Sequence, residues 1–562
     1  MQGISNIIIS IFLISLVAVI GIGVGNLSTS LILILVVSIL VFIATFIRID
    51  IGLYLLIFAM LLSPEIVIGH IPGRDIVIRF DDIIILVVIL AWMARIARDP
   101  RAGFLVDTPV NKFIFFYILA FIVATVQGVW IEEVEPLKGF FYVLKYIEYL
   151  LIYFLVVSNI RSKKQIKRYV NLLLFVCLIT TVYATLQIGK VSRISAPFEG
   201  AAGEPNTLGG YLVFILSLIL GILFHSQNRK QKFFLGVLAA AIIYPFLFTF
   251  SRSSYMAIVA MYFFFMCFSQ KRKILIFGLI LGIVAIYFLL PGGVVKRIKY
   301  TFKEDKNPYM KIGKTWVERD YVRDVIKVGT RPAKIGNRYY EPRELKRILD
   351  KDEQNLVKVG ETWVMRSYIE RIIADRTMDA KIGDKVYSFW ELEQIVADYD
   401  SLPEEQQKLI RNDAFIAHDG RTVRIGSISF GPSASARIIS WLENIDHWKE
   451  YPFLGWGITG GGFIDGQYIK NLVELGMIGF LAFMALLITI FKASFKVYQK
   501  AQDRLYKGLA LGFTAGFFSV TVHALTANTF ILIRIMEPFW FVAGMVMMLP
   551  KLEAEKNFNY DK

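Results

Sequence analysis

Apolar runs of about 20 residues follow one another along this chain, and any fold it adopts must accommodate them. A helix of that length is about as long as the hydrocarbon layer of a bilayer is thick. Runs can be marked at 4–24, 29–47, 50–64, 82–97, 111–130, 139–158, 166–188, 207–225, 232–251, 253–268, 272–291, 471–492, 506–524 and 529–549. The third, fourth and tenth are short, so the expected number of spans is 12 to 14. Hydrophobic residues make up 56% of the 562, with a mean hydropathy of +0.56. That is more apolar surface than a soluble core needs, so the lipid bilayer is the expected solvent. The first residues, Met1 to Gly25, lack a basic n-region and a clear small-residue cleavage site, and read as a first span rather than a signal peptide. The expected fold class is an all-α polytopic membrane protein with about 12–14 transmembrane helices.

The net charge of +16 does not point to nucleic acid, because the basic residues fall in short clusters between apolar runs. Those clusters are Arg95/Arg98/Arg101/Lys112, Arg161/Lys163/Lys164/Lys167/Arg168, Arg229/Lys230/Lys232, Lys271/Arg272/Lys273 and the stretch from Lys492 to Lys507. They occupy every second connection. By the positive-inside rule both termini are then cytoplasmic. Glu132/Glu133/Glu135, the Arg193–Asn206 loop, the Ser251–Ser254 turn and everything from Pro291 to Lys470 face the external side. Cys177 and Cys267 both lie in apolar segments, which argues against a structural disulfide.

Four regions follow: N-terminal spans with external arginine motifs (1–302), an external soluble insert (303–430), a motif loop with C-terminal spans (431–550), and a cytoplasmic tail (551–562). The insert repeats internally. The segment from Met310 recurs from Val357, and that from Ala333 recurs from Ala380, both at an offset of 47 residues. Each half-unit reads as a glycine-centred strand turn followed by an amphipathic helix, with Trp316, Trp363 and Tyr387 as core candidates. A small α+β module is expected, either solvated and stabilising or docking a protein partner. Sugar binding through its aromatics is the other reading.

Three external stretches place arginine, glycine and small polar residues beside helix ends. In the Arg193–Leu212 stretch, Pro205 and Asn206 suit the start of a helix. In the Thr249–Ala257 stretch two spans meet with almost no loop, and Arg252 opens the second. A helix N-terminus there offers N–H groups and a positive dipole end to an anion, and Arg252 adds a planar donor fork suited to phosphate oxygens. The third stretch begins at Gly431, carries Arg437, Trp441 and Trp448, passes the glycine-rich Gly455–Gly462 turn, and includes Asp465 and Tyr468. An arginine at a membrane interface is more often a snorkelling anchor or carbonyl cap than a ligand; three on one expected face weigh towards a site. Arg534 and Glu537, inside the last span, are spaced to pair on one helix face. His523 reads as a polar interface residue rather than a catalyst. The five histidines show no metal-ligand spacing, and neither a P-loop nor a serine nucleophile elbow is present. An outward-facing enzyme of this kind would draw its energy from an activated substrate.

Taken in order, these residues resemble the O-antigen ligase/O-antigen polymerase superfamily of bacterial envelope glycosyltransferases, GT-C-like membrane proteins. The elements are Arg193 with Gly200 and Pro205-Asn206; Ser251-Arg252-Ser253; Arg437 and Trp441; Pro452-x-x-Gly455-x-Gly457; Asp465-x-x-Tyr468; and Glu474-x-Gly476-x-x-Gly479. The resemblance covers roughly 190–490 without the insert. It implies an enzyme of the inner (cytoplasmic) membrane that acts on its external, periplasmic face without metal or other cofactor. The donor would be an undecaprenyl-diphosphate-linked oligosaccharide, and the acceptor a glycan or lipid hydroxyl.

By the same resemblance Arg193 and Arg252 bind the diphosphate and neutralise its developing charge. Arg437, Asn206 and Tyr468 contribute to the pocket, and Asp465 with Arg252 does the chemistry, with inversion at the anomeric carbon. Ligases of the family usually carry a histidine where this chain has Asp465. That favours a polymerase of a surface polysaccharide or exopolysaccharide over a ligase acting on lipopolysaccharide core. Readings from other classes are a lipid-linked oligosaccharide flippase or transporter, for which inverted repeats would be expected, and a non-catalytic scaffold.

Overall fold

The computed structural model of the chain describes residues 29–71, 74–98, 106–191, 193–199, 203–269, 272, 428–462 and 464–560, together with the strands and helices between 309 and 425. The spans expected at 4–24 and, past its first residue, at 272–291 lie outside the described residues, as does Gly200. The other twelve runs all fall on described helices. These are α1 (Thr29–Ile47), α2 (Ile49–Leu62), α3 (Phe80–Arg98), α4 (Asn111–Trp130), α5 (Pro136–Asn159), α6 (Lys163–Gln187), α7 (Pro205–His225), α8 (Arg229–Phe248) and α9 (Arg252–Phe268). Counting four shorter helices that lie between, α10 to α13 (ranges below), the last three are α14 (Gln467–Lys500), α15 (Arg504–His523) and α16 (Ile533–Tyr560). Eight of them, α4 to α8 and α14 to α16, are long and apolar enough to cross a membrane. The chain is a multi-pass membrane protein. A hairpin unforeseen from the sequence, β1 (Glu65–Ile71) paired antiparallel with β2 (Arg74–Arg79), joins α2 to α3.

Local chemistry sets the helix starts. Ser162, Asn228, Ser251 and Asp503 accept backbone N–H groups in the first turns of α6, α8, α9 and α15, and proline opens α5 and α7.

The chain divides into two compact units. One comprises Met1–Phe288, Trp456–Gly460 and Glu474–Lys562; the other comprises Leu289–Gly455 and Gly461–Val473. In the first, α7 and α16 are central, 83% and 89% buried over their apolar windows, whereas α8 is peripheral at 33%. Burial on every side fits a helix surrounded by helices, and exposed Phe233, Val237 and Ile243 on α8 fit contact with lipid. Small residues bring α7 and α15 together. Gly508, Gly512 and Gly516, one per turn of α15, face Ser217 and Gly221 of α7. A β-carbon at Gly512 would lie 2.7 Å from the Ser217 carbonyl oxygen and 2.8 Å from Leu218 Cα. The two backbones touch, which is how helices gain dispersion energy in lipid, where no hydrophobic force joins them.

The second unit contains the expected repeat. Its strand–turn–strand units are β3–β4 (Tyr309–Ile312, Thr315–Glu318), β5–β6 (Ala333–Ile335, Arg338–Tyr340), β7–β8 (Leu356–Val359, Thr362–Met365) and β9–β10 (Ala380–Ile382, Lys385–Tyr387). Helices α10 (Pro342–Glu353), α11 (Arg366–Asp375) and α12 (Phe389–Ser401) follow the second, third and fourth. Equivalent residues are buried in both halves. Ile312, Val322, Ala333, Ile335, Tyr340 and Leu345 form one core, and their counterparts Val359, Ile369, Ala380, Ile382, Tyr387 and Leu392 belong to the other. Tyr387 packs as expected; the side chains of Trp316 and Trp363 lie outside the described residues.

The structure extends this pattern past the insert. After β11 (Ile416–His418), which lies parallel beside β8, the hairpin β12–β13 (Val423–Ile425, Ile428–Phe430) and α13 (Pro432–Trp448) have the same strand–strand–helix order. Ser435, fully buried, takes the place of Leu345 and Leu392. Its hydroxyl accepts the Val423 N–H and donates to the Phe430 carbonyl, both at 2.8 Å. The helix that carries Arg437 is therefore a further copy of the repeat.

Candidate functional site

The residues singled out in the sequence fall into two clusters, one in each unit. In the first unit they converge on the turn between α8 and α9. Phe250 makes that turn with a left-handed backbone (φ 49). Such a conformation is disfavoured for a bulky residue and persists where the surroundings impose it. Arg193 donates to the carbonyls of Thr249 (3.1 Å) and Phe250 (3.3 Å), so part of its guanidinium caps the end of α8. Ser251, the N-cap of α9, donates to Asn206 Oδ1 at 2.7 Å, and Arg252 is the first residue of that helix. The structure thus places Arg193, Asn206 and Arg252 around one helix N-terminus, although they are widely separated along the chain.

A buried polar chain supports the turn from beneath. Ser254 donates to Ser251 at 2.8 Å and lies 3.2 Å from His523 Nε2, and His523 Nδ1 lies 2.7 Å from the Thr529 hydroxyl. Ser251, Ser254, His523 and Thr529 are all fully buried. His523 is an interface residue that ties α15 to α9, and with both ring nitrogens occupied in a dry setting it contributes rigidity.

In the second unit, Arg437 and Trp441 are one turn apart on α13, and both hold Asp465. Arg437 Nε lies 2.9 Å from Asp465 Oδ2, and the Trp441 indole N–H donates to the Asp465 carbonyl. Tyr468 follows in the first turn of α14, half-buried. Helix α14 breaks at Gly476, whose φ of 63 only glycine adopts readily. In the first unit, Glu474 is buried; its side chain accepts the Thr459 N–H and its carbonyl the Gly457 N–H, each at 2.9 Å, holding the 456–460 turn.

Asp465 and Arg437 are partly exposed, 30% and 22% for their side chains. Their ion pair as such is therefore worth about 1 kcal/mol or less. Asp465→Asn should change thermal stability by no more than about that amount. If Asp465 handles a proton in transfer, the same variant should lose roughly 100-fold or more in rate. Melting curves and turnover measured on one preparation test this, and an equal small loss in both would leave Asp465 only a structural role.

One expected pairing is corrected. Arg534 does not pair with Glu537; it lies 3.3 Å from Glu199 and donates to the Leu61 carbonyl at 2.6 Å. Glu537 is itself fully buried. The spacing along α16 permitted the pair, but the long arginine side chain turns towards the end of α2. Glu199, placed between the arginine and glycine motifs, carried no signal beyond being an acid in that loop.

Among the described residues no group of His, Cys, Asp and Glu could hold a metal ion. No protein-family model matches the chain, and no curated protein matches it.

Proposed function

We propose that this protein is an inner-membrane glycosyltransferase that polymerises undecaprenyl-diphosphate-linked repeat units of a surface polysaccharide or exopolysaccharide on the external face. The observation that carries this reading is the convergence of Arg193, Asn206 and Arg252 on the N-terminus of α9 in a multi-pass membrane protein. A helix N-terminus with an added guanidinium suits a diphosphate. In transfer, an acceptor hydroxyl oxygen bonds to the anomeric carbon, and the bond from that carbon to the diphosphate oxygen breaks. The electron pair stays on the diphosphate, where the arginines stabilise it. The hydroxyl proton passes to a base, the role that the family resemblance gives to Asp465.

The test is a glycan ladder from cells lacking the gene, complemented with the wild type. Loss of long chains with single repeat units still attached to their final carrier is the expected result. Loss of all attached glycan, with lipid-linked polymer accumulating, would replace polymerase by ligase. An unchanged ladder would remove both.

A further inference from the structure

The segment between α6 and α7 that carries Arg193 is held by groups the transfer chemistry leaves unused. Beyond the contacts of Arg193 itself, the Gln187 side-chain amide engages both main-chain groups of Ser195. It donates to the carbonyl at 2.9 Å and accepts the N–H at 3.2 Å. Then comes Glu199. Its Oε2 accepts the N–H groups of Ala196 (3.2 Å) and Glu204 (3.1 Å), so one carboxyl oxygen joins the two shoulders of the loop. Its Oε1 lies 3.3 Å from Nε of Arg534. Arg534 is 1% exposed and anchored on main-chain carbonyls at the end of α2, Leu61 at 2.6 Å and Ser63 at 3.4 Å. Phe198, just before Glu199, has φ 62, a second left-handed bulky residue in this region.

We infer that Glu199 and Arg534 form a clamp that positions the Arg193 loop against the α8–α9 turn. Glu199 is thereby a positioning residue for the chemistry proposed above, on which the inference rests. Arginine stays cationic at any physiological pH, and helix α2 presents the negative end of its dipole to Arg534. What varies is the proton on Glu199. Burial pushes this carboxyl from 4.5 up to about 7, against the pull of Arg534, the Ala196 N–H and Arg79, and with a further push from the Glu204 carboxylate. The charged groups facing it are thus Arg534 from α16, Arg79 from the end of β2, and Glu204 from its own loop. The sign follows from linkage. The closed loop holds the Glu199 proton more tightly than an open, hydrated loop would. Closure is therefore most favoured at low pH and loosens as pH rises from 4.5 to about 7.

The experiment follows backbone amide exchange of the full-length protein in detergent across this pH range, beside transfer kinetics. In Glu199→Ala both shoulders lose their acceptor, and the Ala196 and Glu204 amides should exchange about tenfold faster or more. If the loop positions Arg193, kcat should fall about tenfold with the donor KM within about twofold. Glu199→Gln keeps an acceptor oxygen and no titrating proton. It should protect the loop at every pH, whereas the wild type, corrected for intrinsic exchange, loses protection towards pH 7. Should Glu199→Ala fail to fold, the double variant Glu199→Gln with Arg534→Met removes both charges together. Its exchange should be independent of pH but faster at both amides than in Glu199→Gln alone, because the anchor on the end of α2 is lost; protection equal to that of Glu199→Gln would overturn the clamp. Wild-type protection of both amides in Glu199→Ala, or a wild-type pH profile in Glu199→Gln, would overturn the clamp. Faster exchange with unchanged kcat would overturn its link to Arg193. The exchange result stands even if no transfer activity is found, so failure of the clamp and failure of the proposed function are separately visible.

Discussion

Arg252→Ala is expected to leave cells without long glycan chains, at normal expression and with the protein still folded. The residue opens α9 beside the carbonyls that Arg193 caps, so its loss should not unravel the turn: the N-cap is Ser251, which accepts the Ser254 N–H at 3.2 Å and donates to Asn206. What disappears is the donor fork that the proposed mechanism places on the leaving diphosphate. Removing one such electrostatic donor in other enzymes costs about 3 kcal/mol, on the order of 100- to 1,000-fold in rate. Arg252→Lys retains the charge but not the planar fork, and should recover only part of the activity. A normal ladder from Arg252→Ala would mean that the diphosphate is bound elsewhere.

Gly512→Val should have the largest effect on folding. The added β-carbon would press on two backbone atoms, the Ser217 carbonyl oxygen and Leu218 Cα, which cannot rotate away. The pair α7–α15 would have to separate, at a cost of about 3 kcal/mol or more, seen as a lower melting temperature in detergent and reduced yield. Gly236 is the control. It lies within α8 with nothing inside 4 Å of an added β-carbon. Gly236→Ala should be neutral, or stabilising by up to about 1 kcal/mol through helix propensity. Equal behaviour of the two variants would mean that α7 and α15 are not packed through their glycines.

The membrane architecture was legible in the sequence because a span is a local property. Twenty apolar residues must lie in lipid and must close their own hydrogen bonds, and every expected run on described residues is a helix. The repeat was legible for the same reason, since equivalent core positions such as Tyr340 and Tyr387 recur at fixed spacing. The copy ending in α13 was hidden because Ser435 stands where the others have leucine. Its burial is made possible by two hydrogen bonds to its own hairpin. The packing of α15 on α7 through glycines was not foreseen, because it depends on which helix the fold brings alongside.

The sequence by itself determined which stretches form apolar helices, the repeat at an offset of 47 residues, and that Arg252 stands at the start of a helix. The tertiary structure decided what those arginines touch. Arg193 reaches the turn that precedes Arg252, Arg437 holds Asp465, and Arg534 passes over Glu537, one turn away on its own helix, to reach Glu199. The physical reason is that helix formation is governed by near neighbours and solvent. The partner of a long buried side chain is chosen instead by whichever carboxylate or carbonyl the packing of distant helices brings within 3 to 4 Å.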